Sequence, residues 1–99
     1  MKVVHWTIKA KERLHDIQEH IAIDNLTAAL KMVEAILDKA DQTGPLPLLG
    51  KMVPDYQRKD VRELGEHPYR IIYRVKEDQI DILTVKHVRQ RLPKIIRKL

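Results

Sequence analysis

The sequence predicts an α+β domain: an N-terminal strand, an antiparallel helical hairpin, a mainly antiparallel three-strand meander and a short basic C-terminal helix or arm. Three observations predict it. Two stretches in the first half place apolar residues at helical spacing. Three stretches in the second half alternate, or run apolar, over strand length. A connection rich in Gly and Pro, residues 44–60, separates the two halves. Ninety-nine residues fit one domain, able to bury roughly 60–65% of the unfolded surface.

Lys2 to Trp6 is rich in Val with one aromatic and reads as a strand, placed at a sheet edge because it starts with Lys. Thr7 is the N-cap of a helix from Ile8 to about Ile21, with Ala10, Leu14, Ile17 and Ile21 as its buried stripe. Asp24 or Asn25 caps a second helix. Its apolar face is expected at Leu26, Leu30, Val33, Leu37 and Ala40, widened by Ala29 and Ile36. Gly44 and Pro45 stop it.

The connection contains Leu46, Leu48, Leu49 and Met52. Connections this long are often functional, but a packed one must also bury something apolar. The leucines are therefore expected to tuck the loop onto the helices.

Three strands follow, beginning with Val61–Leu64. In Tyr69–Val75, the residues Tyr69, Ile71, Tyr73 and Val75 alternate with Arg70, Ile72 and Arg74. The apolar set should face the helices, against Leu14, Ile17, Leu30, Val33 and Leu37. Glu77-Asp78 turns the chain into Gln79–Lys86, whose Ile80–Val85 run reads as a central strand covered on much of both faces.

Composition narrows the function classes. There is no cysteine, which suits a reducing cytoplasm and excludes disulfides and thiolate metal sites. No apolar run is long enough to span a bilayer, and no secretory leader is expected. There is no serine, so serine-based covalent catalysis is excluded. With only Gly44, Gly50 and Gly65, there is no glycine-rich phosphate loop. His5, His15, His20, His67 and His87 have no zinc-like spacing, and no metal or cofactor is expected.

Charge is the strongest signal. Six of the 19 Lys/Arg residues lie in residues 86–99, which hold no acid. The preceding 85 residues carry 13 bases against 14 acids, so the net +5 belongs to the C-terminus. A local basic patch points to an anionic partner, or simply to a solvated tail. Arg62, Arg70 and Arg74 lie on neighbouring strands, with Arg70 and Arg74 on one strand face. His87, Arg89 and Arg91 follow the last strand, where the chain can approach the same face. Guanidiniums bind phosphate bidentately, and His87 suits a general acid near neutral pH, so the set would serve a metal-free ribonuclease. The alternative is local neutralisation: Arg62 by Glu63 or Glu66, and Arg74 beside Asp81.

From Lys2 to Pro93 the chain resembles the ParE/RelE toxins of bacterial type II toxin–antitoxin pairs. The specific segments are Val61-Arg62-Glu63-Leu64, Pro68-Tyr69-Arg70-Ile71-Ile72-Tyr73-Arg74-Val75 and His87-Val88-Arg89-Gln90-Arg91-Leu92-Pro93. The N-terminal half matches in layout, with the Ala28-Ala29 pair near the start of the second helix. RelE-like members cleave ribosome-bound messenger RNA without a metal, and ParE-like members poison DNA gyrase. The RelE pattern has lysines on the strand before the Tyr-Arg motif and a tyrosine in the C-terminal segment. Here Asp60-Val61-Arg62-Glu63-Leu64 has no lysine, and no tyrosine follows Tyr73. The Arg-Glu-Leu strand and the His-x-Arg-x-x-Leu-Pro ending look like ParE.

The resemblance implies a cytoplasmic, non-enzymatic gyrase inhibitor of the plasmid-stabilisation type, held by a cognate antitoxin in a hetero-oligomer. Its implied target surface is Arg62, Arg70, Arg74, His87, Arg89 and Arg91. Its implied antitoxin surface is Leu14, Ile17, Lys94, Arg97 and Lys98. The alternative is a RelE-like ribonuclease acting on the ribosome and its mRNA, with Arg62, Arg70 and His87 as working groups.

Overall fold

The computed structural model describes residues 1–92. Of the expected arm beyond the last strand, the part from residue 93 on, with Lys94, Arg97 and Lys98, lies outside the described residues. The order is β1 (Val3–Trp6), α1 (Ile8–Ala22), α2 (Leu26–Asp41), β2 (Lys51–Met52), β3 (Val61–Glu66), β4 (Tyr69–Val75) and β5 (Gln79–His87). The sheet runs β1-β5-β4-β3-β2. Neighbours are antiparallel except β1 and β5, which run parallel. The edge position of β1, the central position of β5 and the β3–β4–β5 meander are as the sequence predicts.

Local chemistry explains the helix ends. Thr7 Oγ1 accepts from Ala10 N at 3.2 Å and donates to the Ile82 carbonyl at 2.8 Å. One hydroxyl thus caps α1 and ties its start to β5. Asn25, rather than Asp24, caps α2 by accepting from Ala28 N at 3.0 Å. Thr43 Oγ1 donates to the Ala40 carbonyl at 2.6 Å and satisfies a group that the end of α2 leaves open. Gly44 does not end α2 through a left-handed turn, as no glycine has positive φ. Gly44 permits close packing instead: a Cβ there would sit 2.8 Å from the Lys2 carbonyl oxygen.

The helices cover one sheet face. Ala10, Ile36 and Ala40 meet Tyr69, Ile71, Tyr73, Ile80, Ile82 and Val85, with Leu14, Ile17, Met32 and Val75 at the margin. The expected face of β4 is therefore the observed one. The face that α2 buries is only one side of the expected one, the side of Ala29, Ile36 and Ala40. Ala29, Ile36 and Ala40 are buried, whereas Leu26, Leu30 and Leu37 are 60, 51 and 38% exposed. The two alanines present little bulk at the packed face, and the larger leucines lie on the neighbouring stripe. At helical spacing along α2 they form an apolar seam facing solvent.

The loop leucines also depart from expectation. Leu46, Leu48, Leu49 and Met52 remain exposed. The connection is anchored instead by Val53 and Tyr56, which bury with Val61 and Ile72 against the opposite sheet face, joined by Leu83 and Leu92. The connection also holds β2, too short at two residues to show a strand period. Between Ile72 and Tyr73 the β4–β5 register slips: Ile72 faces Thr84 and Tyr73 faces Ile82, leaving Leu83 unpaired. This bulge lets both Ile82 and Val85 turn toward the helices although they are three residues apart.

Candidate functional site

The β3–β4 hairpin turns through His67–Pro68, a cis peptide, and pairs Gly65 with Arg70 and Glu63 with Ile72. That register puts Glu63 diagonally across from Arg70 on the face away from the helices. The two form an ion pair, with side chains only 11 and 21% exposed. Lys51 of β2 adds a longer contact to Glu63 at 3.8 Å.

Arg74 shares that face. Its Nε lies 3.2 Å from Asp60 Oδ2, and Arg58 Nη2 binds the same oxygen at 2.6 Å. Burial alone would raise the Asp60 pKa. The hydrogen bonds and charge from Arg58, reinforced by Arg74, outweigh it and hold the carboxyl below its usual range. Asp81, opposite Arg74 in register, is taken by Lys76 at 3.4 Å.

Arg62 is not with them. It pairs in register with Tyr73 and shares strand parity with Leu64, which packs on the helix-side core. Its Nη1 donates to the Gly50 carbonyl at 2.9 Å and its Nε to the Lys59 carbonyl at 3.1 Å. The partners expected for it, Glu63 and Glu66, are not the ones it uses. Arg62 and Arg70 thus lie on opposite faces of the sheet.

His87 ends β5 with its ring edge-on to Tyr69, centroids 5.8 Å apart. A compact turn follows. His87 N donates to Gln90 Oε1 at 2.9 Å, Arg89 N to His87 Nδ1 at 3.2 Å, and Val88 N to the Pro68 carbonyl at 2.8 Å. Arg89 and Arg91 are exposed on this turn. Leu92 then folds onto the face that carries Ile72, so the chain does approach the Arg70–Arg74 face as the sequence suggests. Leu14 and Ile17 are half-buried against the core. Lys94, Arg97 and Lys98 fall outside the described residues.

The structure thus brings together Arg70 and Arg74 on one face, with the His87–Arg91 turn leading onto it, and separates Arg62. Sequence reasoning missed Glu63 and Asp60 as the anions that engage these arginines. The signal was present for Glu63: a two-residue turn at His67–Pro68 fixes the register that sets it beside Arg70. Among the described residues, no group of three or more His, Asp or Glu could hold a metal.

Comparison with known proteins gives a consistent answer. Residues 4–92 match the family model described as the ParE toxin of the type II toxin–antitoxin system parDE. A curated relative from Sinorhizobium fredii, named "Putative toxin Y4kP", is 34% identical over 97 residues, covering 96% of this chain and 97% of the relative. The chromosomal ParDE toxin–antitoxin system of P. aeruginosa contains a similar chain, with TM-score 0.73 and 28% identity over 88% of this chain and 96% of that one. The RelBE2 complex of Mycobacterium tuberculosis shares the fold, with TM-score 0.59 and 22% identity over 87% of this chain and 96% of that one. The family-model match, the curated relative and the likeness of fold agree, and the chain belongs to the ParE family of type II toxins.

Proposed function

We propose that this toxin inhibits DNA gyrase by binding, without catalysing a reaction, and that a cognate antitoxin neutralises it. One observation carries the choice against ribonuclease chemistry: the cation placed to meet a phosphate, Arg70, is engaged by the Glu63 carboxylate. Cleaving RNA builds up negative charge on phosphorus, which preorganised unengaged cations must stabilise. Arg74 is likewise held by Asp60, and Arg62 lies on the other face, bound to backbone carbonyls. This arrangement supports a rigid recognition surface over a catalytic one.

The antitoxin reading is supported by one exposed apolar stripe and by the charge of the C-terminal sequence. The α2 stripe of Leu26, Leu30 and Leu37 is apolar and exposed, as suits a partner-binding face. The basic C-terminal sequence suits an acidic segment that orders on binding.

The test is to assay the purified toxin on gyrase supercoiling and on ribosome-bound message side by side. Loss of supercoiling with intact message is expected. Codon-specific message cleavage with gyrase unaffected would replace this reading with the ribonuclease, and attention would move to Arg70, Arg62 and His87.

A further inference from the structure

A second cationic feature lies between α1 and the end of β5. These enclose a cleft of about 510 Å3, whose lining includes Arg13, Asp16, Lys86 and His87. Its apolar lining is supplied by Ile17 and Val85. Three features show that its cations are under-neutralised. Arg13 Nε is buried with no hydrogen-bond partner among the described residues. The single carboxylate nearby, Asp16, contacts Arg13 only through Nη1 at 3.4 Å and stays 63% exposed. The Lys86 ammonium is held below the ordinary lysine range, first by burial and then by repulsion from Arg13 and Lys9. A desolvated lysine beside an arginine is costly unless an opposite charge joins them.

We propose that this cleft is the docking site for one acidic side chain flanked by apolar residues, presented by a partner protein. The partner's identity as the antitoxin rests on the function proposed above; the chemistry of the cleft does not. Charge matching selects the occupant. Arg13 and Lys86, with Lys9 close enough to repel Lys86, outnumber the Asp16 carboxylate, so an added carboxylate is favoured. The apolar lining takes the flanking side chains. Tyr69 and His87 are already packed edge-on to each other, which leaves no parallel pair of rings to sandwich a nucleobase.

The full-length chain should be titrated by NMR with acetyl-Leu-Glu-Leu-amide, acetyl-Leu-Gln-Leu-amide, inorganic phosphate and a short oligouridylate. The glutamate peptide is expected to shift the Ile17, Val85 and Lys86 resonances saturably. The glutamine peptide should bind about tenfold more weakly, and Arg13→Ala and Lys86→Gln should each weaken the glutamate peptide by about tenfold. Lys31→Ala, on the exposed side of α2, should leave affinity unchanged. If Arg13→Ala does not fold, Lys86→Gln and the two peptides on the wild-type chain still decide. Equal affinity for both peptides, binding of phosphate or oligouridylate but not peptide, or no saturable shift would each overturn the proposal. A parallel supercoiling assay separates the two readings. Gyrase inhibition without peptide binding removes the cleft and keeps the function; peptide binding with gyrase unaffected does the reverse.

Discussion

Gly50 N–H donates to the Tyr73 hydroxyl at 2.8 Å, tying the start of the β2 segment to β4 across β3. The same hydroxyl donates to the Pro47 carbonyl at 2.8 Å, so one phenol fixes both ends of the Pro47–Gly50 turn. Tyr73→Phe leaves a buried N–H and a carbonyl without this partner and should cost about 1–3 kcal/mol in denaturant unfolding. Gly50→Ala should cost more than Tyr73→Phe, because its Cβ would sit 2.5 Å from the Glu63 carbonyl oxygen and 2.8 Å from the Tyr73 ring.

The two apolar stripes of the helix layer predict opposite outcomes for similar truncations. Ile71 is fully buried beneath the helices, and Ile71→Ala should cost about 2–5 kcal/mol. Leu30 is half exposed on the α2 seam, and Leu30→Ala should cost well under about 1 kcal/mol. Thermal melts of the pair would reverse this ranking if the seam, rather than the Ile36 face, were packed.

A double-mutant cycle on Glu63 and Arg70 should return a coupling of about 1–3 kcal/mol, as expected for a largely desolvated, hydrogen-bonded ion pair. A coupling near zero would mean that Arg70 is available to other partners, and would weaken the case against catalysis.

Asp60 predicts the acid limb of stability. Its folded pKa lies below the unfolded value, so its contribution is present above the ordinary carboxylate range and is lost as pH falls through the folded pKa. Asp60→Asn should therefore lower Tm at pH 7, and the gap to the wild type should narrow below about pH 4. A gap that stays constant down to pH 2 would show that the Arg58 and Arg74 contacts do not favour the ionised form.

Thr84 is fully buried and its hydroxyl has no hydrogen-bond partner among the described residues. Thr84→Val keeps the shape and removes the unsatisfied group. It should raise stability by up to about 1–2 kcal/mol. A lower Tm would reveal a hydrogen bond made by Thr84 in solution.

Much of this architecture was legible because periodicity and capping act locally. Thr7 and Asn25 cap the helices they were expected to cap, and Tyr69, Ile71 and Tyr73 face the helices as their alternation requires. Which side of the α2 face is buried was not legible. Leu26, Leu30, Val33 and Leu37 make an apolar stripe at least as convincing as the Ala29–Ile36–Ala40 stripe that is buried. Only the partner surface decides between two adjacent apolar faces. The second core was hidden because Val53, Tyr56 and Leu92 lie in irregular segments without a period. The arginines were misgrouped for a simpler reason. Arg62 has the parity of Leu64, and following that parity through the β3–β4 register would have sent it to the helix side.

The parallel pairing of β1 with β5 has a consequence for synthesis on the ribosome. Val3–Trp6 is made before the other strands, yet among the described residues its neighbour in the sheet is Gln79–Ile82. The α1–α2 hairpin depends on near contacts, whereas the middle of the sheet waits for almost the whole described chain to emerge. A nascent chain stalled before Gln79 would therefore present helices and no completed sheet. Since β5 supplies both the pairing for β4 and the turn leading to Leu92, the Arg70–Arg74 face matures only after β5 has emerged. The poison is thus assembled late, which leaves an interval in which its antidote can be waiting.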